Sequence, residues 1–164
     1  MAKKKYTARD LYLDIQLAWI KEARKDATHY FYQFTTGSVY LGNGFYFYKI
    51  PVEACIIDKF NLDSMFPGTH EVSYSSVLAG CEYMPADDTG MRKQHFGHNL
   101  IILKNDLGVE TAINEKFVSV FKGMIDYNTG KKGTDPVVLT VFDGTHNSTE
   151  VLGLVLPVNL GKCA

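Results

Sequence analysis

The sequence contains little cysteine, and its three cysteines lie far apart. Cys55, Cys81 and Cys163 form no C-x-x-C pair. An odd number of separated cysteines, without a secretory signal, predicts free thiols in a reducing compartment. The lysines at positions 3–5 are not followed by an apolar run, and no apolar stretch approaches the length of a membrane span. We therefore expect a cytoplasmic protein without a membrane partner.

The sequence also lacks an excess of charge of either sign. Its 17 lysines and arginines nearly balance 18 acidic residues, which gives a net charge of −1. A global attraction to nucleic acid is thereby excluded, so any DNA contact must come from a local patch. With 46% hydrophobic residues in 164 positions, the chain predicts a single domain, residues 1–164, with a sizeable core.

Motifs that carry chemistry are scarce. His95 and His98 could offer two metal ligands, but no third ligand has suitable spacing, so we predict neither a metal nor a cofactor. Asp87 and Asp88 could join these histidines in an enzyme site, although a solvated loop explains all four residues as well. No serine, cysteine or histidine falls into a nucleophile motif. We therefore expect a protein that is not an enzyme.

The first third of the chain predicts one helix followed by strands. Thr7 begins an N-capping pattern, and apolar spacing extends the helix to about Lys25. Residues 29–50 are rich in aromatic side chains that strands favour, and residues 42–44 (Gly-Asn-Gly) favour a hairpin turn. The aromatic run at 45–48 is typical either of a sheet core or of a surface that stacks nucleic-acid bases.

The remaining elements follow from shorter patterns. We predict, in chain order, a short helix over 52–60, a strand over 72–78, a polar loop holding Pro85, Asp87, Asp88 and Gly90, a hairpin over 100–113, a helix capped by Asn114 over 115–125, a loop over 128–135, and strands over 137–142 and 151–158. Helix and strands thus occur twice. The sequence predicts an α+β protein with two helix-plus-antiparallel-sheet halves, about 7–60 and 98–160, with residues 61–97 between them.

Several segments resemble the bacterial DNA sliding clamp family, the beta subunit of DNA polymerase III. The helix start at 113–118 continued by Phe121, the strand at 137–141 with Asp143 after it, and the apolar segment 154–160 with Pro157 are similar to the end of the clamp's last domain. The segment 39–51 is similar to a clamp hairpin. The resemblance implies a DNA-clamp-like single domain built from two helix-plus-sheet halves, whereas a bacterial clamp chain has three such domains.

The resemblance also implies candidate sites. In clamps the helices line the hole around DNA, so residues on the two predicted helices would contact double-stranded DNA: Arg9, Lys21, Arg24, Lys25, Lys116 and Lys122. In clamps the final segment borders a groove for linear peptides of polymerases. The corresponding residues here are Leu156, Pro157, Val158 and Leu160.

Three interpretations of the function follow, from different classes. The first is a clamp-like accessory protein of DNA replication, of phage or mobile-element type, that assembles into a homo-oligomeric ring because one domain cannot encircle DNA. The second is a small protein-interaction or inhibitor module that uses the fold only as a scaffold. An enzyme acting through residues 85–98 is the third interpretation.

Overall fold

The computed structural model describes residues 2–3, 5–142 and 150–160. Within these residues the protein is α+β, with three α-helices and one ten-stranded sheet. The helices are α1 (Ala8–Ala23), α2 (Lys59–Met65) and α3 (Tyr74–Ala79). The strands are β1 (Tyr30–Phe34), β2 (Ser38–Asn43), β3 (Tyr46–Pro51), β4 (His70–Glu71), β5 (Met84–His95), β6 (His98–Asn105), β7 (Glu110–Asn114), β8 (Ile125–Thr129), β9 (Val137–Val141) and β10 (Val151–Val155).

The sheet runs in the order β4-β1-β2-β3-β10-β9-β8-β5-β6-β7. The short β1–β4 pair is parallel, and the other pairs are antiparallel. β10 lies between β3 and β9 and therefore joins strands from the first third of the chain to strands from the last third. The predicted α+β class is confirmed, and the strands of both halves belong to one continuous sheet.

α1 forms as the sequence predicts. Thr7 Oγ1 accepts a hydrogen bond from Asp10 N at 3.3 Å, and Asp10 Oδ2 accepts one from Thr7 N at 2.8 Å, which completes a capping box. The buried face of the helix, with Leu11, Ile15 and Trp19, packs against the sheet in the main core. Removal of this apolar face from water is what holds the helix on the sheet.

The predicted hairpin turn at residues 42–44 is confirmed, and so is the alternation of the strand after it. Tyr46 and Tyr48 of β3 belong to the main core, whereas Phe47 packs on the opposite face with Tyr40 and Leu154. The aromatic run is therefore largely sheet core on both faces. Phe45 alone of this run stays exposed.

The helix predicted over 115–125 is wrong. The structure has two short 3-10 turns there, Glu115–Phe117 and Ser119–Phe121, and Lys122 then takes a left-handed conformation at φ 51°. The β-branched and aromatic residues of this segment have low helix propensity, and Gly123 follows at φ 77°. Asn114 still acts as a cap, because its Oδ1 accepts a hydrogen bond from Lys116 N at 3.0 Å.

The helix predicted over 52–60 is also wrong. A 3-10 turn at Val52–Ala54 is followed by extended chain, and α2 begins only after Asp58. The cause is the fully buried Gln16 of α1. Its Nε2 donates to the carbonyl oxygen of Ala54 at 2.9 Å, and its Oε1 accepts from the backbone N of Ile56 at 2.6 Å. These bonds hold the chain open where a helix would have to continue.

Residues 70–95 differ most from the prediction. The strand predicted over 72–78 is mainly α3, whose Tyr74 packs on Phe47 with ring centroids 4.6 Å apart. The loop predicted around Pro85 and Gly90 is β5, a long strand that is almost entirely exposed. Because both of its faces meet water, it shows no alternation of apolar and polar residues that a sequence pattern could detect.

Asn128 and Thr129, placed in a loop from the sequence, belong to β8, while the hairpin over 100–113 and the strands over 137–142 and 151–158 are confirmed, apart from their ends. Cys55 and Cys81 are free thiols. Cys163 and Asp143 lie outside the described residues.

Candidate functional site

The C-terminal half of α1 is fixed to the turn between β2 and β3. Trp19 is fully buried, and its Nε1 donates a hydrogen bond to the carbonyl oxygen of Gly42 at 3.0 Å. The indole also meets the rings of Tyr30 and Phe66 edge-on, at centroid distances of 6.3 Å and 5.9 Å. The C-terminal half of α1 is therefore held rigidly on the sheet.

The β2–β3 turn presents an exposed aromatic side chain. Asn43 Oδ1 accepts hydrogen bonds from the backbone N of Phe45 at 2.8 Å and of Tyr46 at 3.1 Å, which closes the turn. The hydroxyl of Tyr74 donates to the carbonyl oxygen of Asn43 at 3.0 Å. Phe45 is 62% exposed and lies nearly parallel to the ring of Phe117, with centroids 6.3 Å apart.

Residues 156–160, here called the closing segment, continue from β10 to the far end of the sheet. The backbone N of Leu156 donates to the carbonyl oxygen of Phe45, and that of Val158 to the carbonyl oxygen of Ala112 of β7, both at 2.8 Å. Val158 and Leu160 pack on a small apolar cluster of Leu100, Ile102 and Ala112. The segment therefore connects the β2–β3 turn to the edge of the sheet.

A groove of about 840 Å³, here called the central groove, lies between α1, the two 3-10 turns and the closing segment. Aromatic side chains make up much of its wall: Tyr30, Phe45, Tyr46, Tyr48 and Phe117. The hydroxyl of Tyr48 donates to the carbonyl oxygen of Phe117 at 2.6 Å. Burial raises the pKa of Tyr46 and of Tyr48 far above the usual phenol value, so the wall carries no tyrosinate charge.

The rim of the central groove carries cations. Lys21 and Lys116 line it, and neither forms an ion pair with any residue that the structure describes. Glu22 lines it too, but its Oε1 lies 3.5 Å from Nζ of Lys25. Phosphate or carboxylate groups of a ligand are therefore favoured at Lys21 and Lys116.

The six basic residues expected to contact DNA are all exposed, but they do not form one cluster. Lys21 and Lys116 share the central groove, and Lys25 pairs with Glu22. Nζ of Lys122 lies 3.4 Å from Oδ2 of Asp14 and 4.3 Å from the ring centre of Tyr6. Arg9 and Arg24 lie on exposed parts of α1 and its C-cap, outside the groove lining.

Of the four residues expected to border a peptide groove, three line the central groove. Leu156, Pro157 and Val158 do so, whereas Leu160 packs against the small apolar cluster instead. The sequence did not predict the aromatic wall opposite them. The sequence feature that corresponds to this wall is the aromatic run at 45–48. Alternate residues of the run point to opposite faces of the sheet, and Phe45 at the turn stays exposed.

A second, apolar pocket of about 320 Å³ lies beside the same turn. Phe31, Phe47, Tyr74 and Val77 contribute to its lining, and it shares Phe45 and Leu156 with the central groove. Burial raises the pKa of Tyr74 above its usual value. The exposed Phe45 and Leu156 thus form a ridge between the two depressions. No sequence pattern indicated this pocket, because α3 was not expected.

The histidines and aspartates considered for an enzyme or metal site do not converge. Asp87 lies opposite Lys104 near the base of the β5–β6 hairpin, whereas His95 lies opposite His98 at its tip. Lys104 lies six positions after His98 on β6, which corresponds to about 20 Å along a strand. Among the described residues no group of three or more histidine, cysteine or acidic side chains could hold a metal ion.

Comparisons with protein-family models, with curated proteins and with solved structures found no match to this chain. No helix in the described parts of the chain has the length and apolar character needed to cross a membrane.

Proposed function

We propose that this protein is a clamp-like binding protein without catalytic chemistry, and that the central groove holds a linear peptide segment. The observation that carries the proposal is the groove itself. It is an open depression of about 840 Å³ with an aromatic wall, and an extended segment of the chain, residues 156–158, forms its opposite side. Apolar grooves with a few placed polar groups are typical peptide and ligand sites.

The walls of the central groove are held in place before any ligand arrives. Trp19 fixes α1 to Gly42, Asn43 closes the turn that carries Phe45, and the backbone of Leu156 is bonded to that same turn. A ligand would therefore order few protein groups on binding. A smaller loss of conformational entropy on binding increases the affinity for a given contact area.

The charges of the rim select the ligand. Lys21 and Lys116 favour an acidic residue, and the aromatic wall favours a large apolar side chain next to it. We infer a peptide that places a leucine or phenylalanine anchor within a residue or two of an aspartate or glutamate.

The clamp-like part of the proposal rests on the arrangement of α1 and the two 3-10 turns. The second turn packs against α1 and against the first turn, and Phe117 and Phe121 contact the same core as the buried face of α1. The cations expected to contact DNA belong to these elements and their ends. A ring around double-stranded DNA would require several copies of the chain, since the single chain of 18.4 kDa has one such sheet among its described residues.

Binding of a designed probe tests the peptide proposal. A fluorescein-labelled peptide containing Asp-Leu-Phe between glycines should bind with a Kd of roughly 10–500 µM, the range of short anchored peptides. Phe45→Ala and Lys116→Glu should each weaken binding at least about fivefold, equivalent to about 1 kcal/mol. Phe60→Ala is the matched control, because Phe60 is 92% exposed on α2, away from the groove. Equal affinity of all variants would refute the groove assignment.

A protein-interaction or inhibitor module is the second candidate, and the outer surface of α1 favours it. Leu13 is 40% and Leu17 is 50% exposed there, between the cations expected to face DNA. Exposed leucines are typical of protein contacts and not of phosphate contacts. Mass in solution separates the two: a multiple of 18.4 kDa with salt-dependent duplex binding supports the clamp, and a monomer indifferent to duplex DNA supports the module.

A further inference from the structure

The tip of the β5–β6 hairpin is an exposed, regular ladder. β5 pairs with β8 only over Met84–Ala86, but it pairs with β6 as far as His95, which lies opposite His98. Every residue from 92 to 99 is exposed except His95, which is half-buried. The tip is therefore a two-stranded arm whose conformation is fixed by backbone hydrogen bonds and not by packing on the core.

An aromatic residue in a strained conformation lies at the turn of this arm. Phe96 and Gly97 are the two central turn residues, with φ of 48° and 79°, as in a type I′ turn. Asparagine and glycine are the usual residues there, and a phenylalanine is strained. The ring is 89% exposed, and its ring contact is with His95, edge-on at 4.4 Å. A strained and exposed aromatic residue of this kind is a candidate for a recognition role.

The arm is cationic around this ring. Residues 91–99 contain Arg92 and Lys93 but no acidic residue. Arg92 is engaged at the bulge below, where its two terminal nitrogens each lie 2.8 Å from an oxygen of Asp88. Lys93 forms no ion pair with a described residue, and it shares a face of the arm with His95 and His98 because β-strand side chains alternate.

We propose that the hairpin tip binds single-stranded nucleic acid, with the ring of Phe96 stacked on a base and Lys93 beside the phosphate backbone. An exposed aromatic ring beside an unpaired cation, here Lys93, is a combination by which proteins hold unpaired bases without sequence preference. Pairing of two tips from two copies is disfavoured, because it would bring two unpaired Lys93 side chains together and residues 91–99 contain no acidic residue to offset them. Phe96 and Lys93 do not line the central groove, although His98 does.

Phe96→Asn tests the stacking contact without disturbing the turn, because asparagine favours the conformation that the turn requires. With a fluorescein-labelled thymidine oligonucleotide of about 20 nucleotides, fluorescence anisotropy should show binding at least about fivefold weaker than that of the parent. Phe60→Asn removes an equally exposed ring from α2 and should leave the affinity unchanged. Equal affinity of the parent and Phe96→Asn overturns the proposal, as does absence of binding by the parent.

Lys93→Glu tests the electrostatic contact. It should weaken oligonucleotide binding and reduce the slope of log K against log salt by about 0.7 or more, the effect of losing one phosphate contact with a single strand. Lys131→Glu makes the same change of charge at another exposed site and should have little effect. Loss of binding with Lys21→Glu but not with Lys93→Glu would place the nucleic acid on α1 and refute the tip assignment. Co-sedimentation with anionic phospholipid vesicles, in place of oligonucleotide binding, would also refute it.

Discussion

Replacement of Phe96 should make the protein more stable when the new residue is asparagine and less stable when it is alanine. A non-glycine residue in the left-handed region costs about 1 kcal/mol, and asparagine largely escapes this cost through local hydrogen bonding. The Phe96 ring is 89% exposed, so the variants lose little burial, and the edge contact with His95 contributes about 0.5 kcal/mol. Phe96→Asn should gain about 0.5 kcal/mol and Phe96→Ala should lose about 0.5 kcal/mol.

Urea and thermal unfolding followed by circular dichroism measure this difference. An unfolding entropy of about 2.1 cal/mol/K per residue gives about 0.34 kcal/mol/K for 164 residues. The gap of about 1 kcal/mol between the two variants then corresponds to about 3 °C in Tm. If Phe96→Ala were as stable as Phe96→Asn, the residue would not be strained in solution. Strain at Phe96 would then no longer support a recognition role for this residue.

Three other substitutions test the fold. Gln16→Leu removes the bonds that hold residues 52–58 open and leaves the partly buried backbone groups of Ala54 and Ile56 unpaired, so the free energy of unfolding measured in urea should fall by about 1–2 kcal/mol. Gly153→Ala places a Cβ 2.5 Å from the carbonyl oxygen of Phe47 and should cost about 2 kcal/mol in the same assay, whereas Gly44→Ala meets no atom within 4 Å and should be nearly neutral. Hydrogen bonding from Arg92 lowers the pKa of Asp88 below its usual 3.8. The carboxylate therefore stabilises the fold fully at pH values above its unfolded-state pKa. This stabilisation is lost as the pH falls through the folded-state pKa. Asp88→Asn should therefore be less stable than the parent at pH 7. In urea unfolding at decreasing pH, the difference in free energy of unfolding between the two proteins should disappear below pH 3.8. A difference that persists in acid would contradict this assignment.

Local chemistry explains which parts of the fold the sequence could predict. The capping box of Thr7, the turn at residues 42–44 and the alternation through β3 each depend on neighbours within a few residues, and each is present in the structure. The segment 117–121 has helical spacing but poor helix propensity, and the structure resolves this conflict in favour of two 3-10 turns. Spacing alone was insufficient there.

The candidate sites depended on contacts distant in sequence. The closing segment was expected to border a groove, but the aromatic wall opposite it needs Trp19 to fix α1 and Asn43 to orient Phe45. Such hydrogen bonds leave no pattern in the sequence. Similarly, β5 could not be predicted as a strand, because both faces of the arm that it forms are exposed to solvent. Hydrophobic periodicity carries no information about such a strand.

The position of β10 has a consequence for how the protein acquires its structure. In the sheet, β1–β3 and β8–β9 meet only through residues 151–155, so β3 and β9 each present unpaired backbone groups until this late strand has been synthesised and inserted. Such long-range pairing slows folding. An apolar nascent chain with two open strand edges is vulnerable to misassociation during translation. We expect insertion of β10 to be the rate-limiting event in biogenesis, and cellular yield to respond more to substitutions in this strand than to substitutions on the exposed surface of α1.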